Sequence, residues 1–219
     1  MLRIGLFGGL FDPVHLGHLL VAQAAWEELA LTRLFFIPAA QSPFKPEPRP
    51  ALAEERLRLL RLALAGKSWC AIDPQELGRG AVSYTIDTIR DYTRRFPQSQ
   101  LLYLIGQDNL PQLPKWREAS ELARLAEFVV YPRPVLPEIA AAQENSASHA
   151  GAPASCEVVP GPAGGLPALP KPFRGRFLAG FPVGISSRQI RARVKAGRSI
   201  EPLVPGTVAE AIRNNGLYL

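Results

Sequence analysis

Short apolar runs alternate with longer amphipathic stretches along most of this 219-residue chain. The first three elements are an apolar run at 2–7, a helical stretch at 16–31 and a second apolar run at 33–38. A strand, a helix and a strand in this order predict a βαβ unit, in which the helix crosses over the sheet and the two strands lie parallel. The same alternation predicts helices at 53–66 and 83–96, strands at 68–73 and 100–106, and at 117–132 a helix that leads into a strand. The sequence therefore predicts an α/β fold, a doubly wound parallel sheet covered by helices on both faces.

A change of composition interrupts this pattern between Pro134 and Pro172. Ala, Pro, Gly and Ser occupy 22 of the 35 positions from 138 to 172, and few large apolar side chains remain to form a core. A long run without secondary structure inside a compact domain is usually a lid or a disordered insertion. Two more helices are predicted after it, at 186–197 and 207–218. We expect one domain over 1–219, with a small C-terminal helical part and a flexible insertion at 135–173.

Charge and cysteine content narrow the class of protein. The net charge is +6, and the whole excess lies between Arg174 and Leu219, which holds eight basic and two acidic residues. A basic segment suits a small polyanion as well as nucleic acid. No run of about 18 apolar residues predicts a transmembrane helix, and the Gly-rich N-terminus with Asp12 does not fit a signal peptide. Cys70 and Cys156 form neither a disulfide framework nor a zinc motif, so a reduced, cytoplasmic protein is expected.

The segment GGLFDPVHLGH, residues 8–18, carries the strongest chemical signal. It follows the first predicted strand and enters the first helix, which is the junction where ligands bind in open parallel sheets. Gly8 and Gly9 allow backbone N–H groups to approach an anion closely, and the positive end of the helix dipole favours the same anion. His15 and His18 lie three apart, so both project from one side of the first helical turn, where they can donate hydrogen bonds to phosphate. The alternative is a Gly turn with two incidental histidines, although the chain has only three histidines in all.

A second segment, ISSRQIR at 185–191, begins the first helix after the expected insertion. Ser186 and Ser187 can cap this helix, so that its first N–H groups face phosphate oxygens. Arg191 lies one turn into the helix, within reach of the same phosphates. Taken alone, the segment is a weak signal, and an ordinary helix cap followed by a basic surface helix explains it better.

Together the two segments resemble the motifs of the nucleotidylyltransferase superfamily that carries HxGH. GLFDPVHLGH matches the pattern GxFDPxHxGH, and ISSRQIR matches ISSTxIR except at Arg188, where the family often has Thr or Ser. The resemblance implies a Rossmann-like nucleotidylyltransferase fold and an enzyme that joins a nucleoside triphosphate to a phosphorylated acceptor, releasing pyrophosphate. It assigns catalytic roles to His15, His18, Lys45 and Arg191. It also implies that ATP is bound by Gly8, Gly9, Phe11, His15, His18, Gly106, Asp108, Ile185, Ser186, Ser187 and Arg191.

Further segments are similar to one family within that superfamily, the nicotinate-nucleotide adenylyltransferases. These segments are SPFK at 42–45, SYTIDTI at 83–89, GQDN at 106–109, KW at 115–116 and YPRP at 131–134. The similarity implies that nicotinate mononucleotide is bound by Lys45, Tyr84, Thr85, Trp116 and Arg133. In that family the SYT segment holds the nicotinate carboxylate through backbone N–H groups, and the Trp stacks on the ring. From residue chemistry alone, Trp116 could equally be a packing residue and Thr85 a helix cap.

The resemblance implies transfer of the adenylyl group of ATP to nicotinate mononucleotide, giving deamido-NAD and pyrophosphate in NAD biosynthesis. Mg²⁺ is expected as cofactor, bound mainly through ATP phosphates because the sequence shows no carboxylate cluster. No nucleic acid and no membrane partner is expected, and assembly into a homo-oligomer is left open. Two alternatives keep the chemistry and change the acceptor, to nicotinamide mononucleotide or phosphopantetheine. An alternative of a different class is a non-catalytic protein that binds nucleotides or nucleic acid.

Overall fold

One parallel sheet organises the chain, as the alternation of elements predicts. A computed structural model describes residues 1–41, 50–79, 82–132, 168–180 and 184–219. The strands in these ranges are β1 Leu2–Gly9, β2 Arg33–Pro38, β3 Cys70–Ile72, β4 Ser99–Gly106, β5 Glu127–Tyr131 and β6 Gly175–Phe177. Their order across the sheet is β3-β2-β1-β4-β5-β6, and every neighbouring pair is parallel. The predicted α/β fold with a doubly wound parallel sheet is confirmed.

The helices follow the predicted stretches, with ends that differ by a few residues. In the described ranges they are α1 Leu16–Glu28, α2 Ala53–Leu64, α3 Gln75–Gly78, α4 Thr85–Arg95, α5 Ala119–Leu125, α6 Ser187–Lys195 and α7 Gly206–Asn214. Three elements are not predicted by the sequence: the four-residue α3, a 3₁₀ helix over Gln107–Lys115 and the three-residue strand β6. The 3₁₀ helix contains Pro111 and Pro114, which lack the N–H donor that a longer α-helix would need. These prolines explain why the sequence pattern does not indicate a helix there.

Two apolar clusters, one on each face of the sheet, form the core. Neighbouring residues of one strand belong to different clusters, as Phe35 and Phe36 of β2 show, because successive side chains point to opposite faces. The first cluster contains Phe36 and side chains from α1, α2 and α7. The second contains Phe35 and side chains from α4 and α5. Burial on both faces explains why the strands are nearly continuous apolar runs in the sequence.

Part of the expected insertion belongs to this core. Phe173 is buried, and its ring meets that of Phe128 edge-on with centroids 4.9 Å apart. The chain then enters β6, whose Phe177 pairs with Val130 of β5. Positions 135–167 of the insertion lie outside the described residues, so the expected domain organisation stays a prediction. Among the described helices, none has both the length and the apolar surface that spanning a bilayer requires.

Candidate functional site

A cleft of about 960 Å³ lies at the carboxyl ends of β1 and β4, where the strand order reverses. Ligands bind at this position in open parallel sheets. The predicted site residues that line the cleft are Gly8, Gly9, Phe11, His15, His18, Tyr84, Thr85, Gly106, Asp108, Trp116, Ser186, Ser187 and Arg191. Ile185 does not line it, because its side chain packs against the first core cluster. Lys45 and Arg133 lie outside the described residues.

His15 and His18 form a reciprocal capping box at the start of α1. His15 stands just before the helix, and its Nδ1 accepts a hydrogen bond from the His18 N–H at 3.3 Å. The Nδ1 of His18 accepts one from the His15 N–H at 3.2 Å. The two rings stack with centroids 3.6 Å apart and planes 24° apart. A cap of this kind normally uses Ser or Thr with Glu or Gln, so the histidines replace an ordinary capping box.

The caps determine which ring nitrogens can donate. A neutral imidazole whose Nδ1 accepts a hydrogen bond carries its proton on Nε2. We infer that each ring donates through Nε2–H, and both rings line the cleft. Phe11 supports this arrangement, since its ring meets that of His18 edge-on at 5.0 Å between centroids. The backbone of α1 thus sets both the position and the tautomer of the two imidazoles.

The two glycines at the end of β1, Gly8 and Gly9, make room for the side chains of Tyr103 and Phe11. A Cβ atom on Gly8 would lie 2.5 Å from the Tyr103 hydroxyl, and one on Gly9 would lie 3.2 Å from the Phe11 ring. From the sequence, these glycines are expected to allow an anion to approach the backbone closely. The structure gives them a further reason, because larger residues would displace Tyr103 and Phe11 from the wall of the cleft.

Helix α6 brings the second motif to the same cleft. Ser186 caps it, since its hydroxyl accepts a hydrogen bond from the Gln189 N–H at 3.2 Å. The Ser187 hydroxyl does not cap the helix but donates to the carbonyl oxygen of Pro13 at 2.9 Å. Arg191 donates to the carbonyl oxygen of Asp12 at 2.7 Å. The loop before α1 and the first turn of α6, far apart in sequence, therefore meet directly.

Residues at the start of α4 and of the 3₁₀ helix and just after it also line the cleft. Tyr84 is the N-cap residue of α4, and the Arg117 guanidinium lies over its ring at 4.8 Å. The hydroxyl of Thr85 does not cap the helix and lies 3.4 Å from that of Tyr103. The Trp116 ring meets those of Tyr103 and Phe128 edge-on, each at 6.2 Å between centroids. Trp116 therefore packs in the core and lines the cleft at once.

Two buried carboxylates, Asp12 and Glu76, and two arginines, Arg117 and Arg188, also line the cleft, and the sequence assigns none of them a role. Asp12 stands inside the first motif but received no role from the sequence, and it is 3% exposed. Glu76 of α3 is 4% exposed and accepts a hydrogen bond from the Thr88 hydroxyl at 2.6 Å. Burial raises the pKa of Glu76, against the opposing effect of the hydrogen bonds from Thr88 and Ser83. Arg188, where the sequence departs from the family pattern, adds a positive charge to the same wall.

Comparison with known proteins places this architecture in a family. The sequence pattern of the cytidylyltransferase-like family matches residues 6–193. A protein of Thermus thermophilus, named "Probable nicotinate-nucleotide adenylyltransferase", is 38% identical over 217 residues, which cover 99% of this chain and 100% of its own. A protein of Gemmatimonas aurantiaca with the same name is 37% identical over 217 residues, covering 99% of this chain and 92% of its own.

A solved structure shows the same fold. It is the Plasmodium falciparum nicotinic acid mononucleotide adenylyltransferase complexed with NaAD, which superposes with a TM-score of 0.69 at 16% sequence identity. The alignment covers 100% of this chain and 98% of that one. At this identity the likeness concerns the fold alone, while the sequence relatives establish the kinship. The chain belongs to the cytidylyltransferase-like family and, within it, to the nicotinate-nucleotide adenylyltransferases.

Proposed function

We propose that this protein transfers the adenylyl group of ATP to nicotinate mononucleotide, releasing pyrophosphate and giving deamido-NAD. The observation that carries the proposal is the direct contact between the two motifs, made by Ser187 and Arg191 with the loop before α1. This contact gathers two imidazoles and a guanidinium on one side of the cleft. The name that the sequence relatives share supports the choice of acceptor.

The reaction needs alignment and charge stabilisation rather than a covalent nucleophile. A phosphate oxygen of the mononucleotide, already ionised at neutral pH, forms a bond to the α-phosphorus of ATP. The bond from that phosphorus to the bridging oxygen of the β-phosphate breaks, and pyrophosphate leaves with the electron pair. Donors that hold both polyanions in line supply most of the catalysis. In the proposal His15, His18 and Arg191 stabilise the charge on the α-phosphate and the leaving group, and Lys45 contacts the transferred phosphate.

Nucleotide and acceptor occupy different ends of the cleft in this proposal. Gly106, the last residue of β4, and Asp108, just after it, contact the adenosine, while the first turn of α6 faces the triphosphate. At the other end the backbone N–H groups of Tyr84 and Thr85 bind the nicotinate carboxylate, which the positive end of α4 favours. Trp116 contacts the ring.

Arg133 completes the acceptor site in this proposal, although it lies outside the described residues. A cytoplasmic location and assembly into a homo-oligomer also stay predictions from the sequence.

Mg²⁺ fits this site as a partner of the phosphates. Among the described residues, no group of three or more His, Cys, Asp or Glu is arranged to hold a metal ion. Mg²⁺ commonly binds through substrate phosphates and water together with one or two carboxylates. Asp108, an exposed carboxylate at the cleft, is the residue that could contribute such a ligand. When bound, the ion supplies positive charge to the β- and γ-phosphates.

The assay is pyrophosphate release by purified protein from Mg-ATP with each of three acceptors. Nicotinate mononucleotide should give the highest kcat/KM, and nicotinamide mononucleotide and phosphopantetheine much lower values. Absence of release with nicotinate mononucleotide contradicts the proposal. Salt-dependent binding of duplex DNA at physiological ionic strength, in a protein that releases no pyrophosphate, would instead support a non-catalytic binding protein.

A further inference from the structure

The second-last residue of the chain reaches the first motif. Tyr218 donates a hydrogen bond from its hydroxyl to Oδ1 of Asp12 at 2.7 Å, and the two residues are 206 positions apart. The chain turns at Gly216, with φ of 58°, and Tyr218 itself has φ of 68°. A tyrosine rarely adopts this left-handed conformation, so other interactions must hold it there. Its ring packs against the first core cluster, which leaves the hydroxyl to meet Asp12.

Asp12 stands between this hydroxyl and Arg191. Nη1 of Arg191 lies 2.7 Å from the Asp12 carbonyl oxygen and 3.7 Å from its carboxylate Oδ2. The Ala51 N–H approaches the same Oδ2 at 3.4 Å. A buried carboxylate is stable only when such groups compensate its charge, so its orientation depends on each of them. Burial and the nearby Asp12 both raise the pKa of Tyr218, which therefore stays protonated and able to donate.

Arg56 forms hydrogen bonds with the backbone of the same loop. Its side chain is buried and donates to the carbonyl oxygens of Leu10 at 2.7 Å and Ala39 at 2.8 Å. These carbonyls belong to the loops that follow β1 and β2. The backbone around Asp12 is thus fixed independently of the C-terminal tail. Loss of the Tyr218 hydroxyl should therefore change the carboxylate and its partner Arg191 rather than unfold the loop.

We propose that Asp12 and Tyr218 are positioning residues, through which the C-terminal tail holds the Arg191 guanidinium at the triphosphate end of the cleft. The proposal rests on the proposed function only in that Arg191 binds the phosphates of ATP. Arg191 keeps 22% of its side-chain surface exposed and lines the cleft, whereas the Asp12 side chain is 4% exposed. The buried carboxylate therefore orients the guanidinium, and the exposed part of the guanidinium meets the nucleotide.

Tyr92→Phe can serve as the control for Tyr218→Phe, the variant that tests the proposal. Tyr92 is buried whereas Tyr218 is half-buried, and the Tyr92 hydroxyl likewise donates to a carboxylate, Oδ2 of Asp73, at 2.7 Å. Neither Tyr92 nor Asp73 lines the cleft. Tyr92→Phe and Tyr218→Phe thus remove the same kind of hydrogen bond at two places, one remote from the site and one behind it. Tyr92→Phe measures the effect of a purely structural loss.

The first experiment measures the affinity for a non-hydrolysable ATP analogue by titration calorimetry, without any acceptor. Tyr218→Phe should raise the Kd about fivefold, the size of one lost hydrogen bond, whereas Tyr92→Phe leaves the Kd unchanged. In the full reaction, Tyr218→Phe should raise the KM for ATP and leave the KM for the acceptor unchanged. Equal Kd values for wild type and Tyr218→Phe, or an equal loss in Tyr92→Phe, overturn the proposal.

A double-mutant cycle shows whether Tyr218 acts through Arg191. In an Arg191→Lys background, Tyr218→Phe should change the Kd by less than about twofold, because the partner that it positions has been altered. Additive effects overturn the proposal and leave Tyr218 a structural residue. Should Tyr218→Phe be unfolded at the assay temperature, Asp12→Asn takes its place in the same cycle. A wild type that binds the ATP analogue but releases no pyrophosphate contradicts the proposed function and not this inference. A wild type that binds no analogue overturns both.

Discussion

In each histidine of the first motif, one ring nitrogen stabilises the start of α1 and the other is assigned to the reaction. Nδ1 accepts a backbone hydrogen bond at the start of α1, and Nε2–H is the donor that the proposed function assigns to phosphate. An asparagine amide reaches the position of Nδ1, and the longer glutamine amide reaches that of Nε2. Substitutions at His18 can therefore remove one nitrogen at a time. His18→Ala, in contrast, removes both the cap and the donor.

We predict that His18→Asn lowers kcat about 10²- to 10³-fold and shifts the melting temperature little, because it keeps an acceptor for the His15 N–H but loses Nε2–H. His18→Gln should recover part of kcat, since its amide can donate near the same place. His18→Ala should lower both kcat and the melting temperature. Steady-state kinetics and thermal unfolding of the three variants test this, and wild-type turnover in His18→Asn excludes the assigned role.

The carboxylate of Asp73, just after β3, links the end of this strand to α4. Asp73 accepts hydrogen bonds from the Tyr92 hydroxyl at 2.7 Å, from the Gln75 N–H at 3.1 Å and from Arg95. Its desolvation would raise its pKa, but these hydrogen bonds outweigh that effect, so the pKa of Asp73 is lowered. The group therefore stabilises the fold above the ordinary Asp pKa, and this stabilisation is lost as the pH falls through the lowered value.

We predict that Asp73→Asn lowers the free energy of unfolding by about 1–2 kcal/mol at pH 7, a modest value because Arg95 is partly exposed and screened. The difference between wild type and variant should shrink as the pH falls below about 4, where the unfolded-state carboxylate is protonated. Urea unfolding at pH 7 and at pH 3 measures it. A difference that is the same at both pH values shows that the charge of Asp73 contributes nothing.

Elements with a regular pattern could be predicted from the sequence, and those without one could not. Most strands and helices follow from periodicity, because the sheet is buried on both faces and each helix on one, whereas the short, exposed β6 has no such pattern. The sequence does not predict the 3₁₀ helix Gln107–Lys115, because Pro111 and Pro114 are typical of loops. Within the site, most predicted motif residues line the cleft and Ile185 does not, whereas the contact of Asp12 with Tyr218 joins distant parts of the chain and leaves no local pattern.

The charge of the whole molecule is concentrated next to the cleft. Its +6 excess lies in the C-terminal residues, and α6 carries part of it from Arg188, which lines the cleft, to Lys195. Lys195 stands seven residues further along, about 10 Å at 1.5 Å per residue. This distance is close to the Debye length at 0.1 M salt, about 10 Å. Exposed charges on α6 can therefore attract a polyanion to the cleft without touching it.

We predict that the double variant Lys195→Gln/Arg198→Gln raises the KM for ATP about two- to fivefold at low ionic strength and leaves kcat unchanged, because it weakens attraction and removes no contact at the cleft. The difference should vanish near 1 M salt, where the Debye length is about 3 Å. The control is Arg94→Gln/Arg124→Gln, which removes equal charge from arginines that are exposed and do not line the cleft. If the control raises the KM as much, net charge and not its placement at the end of α6 and just after it governs the approach of ATP.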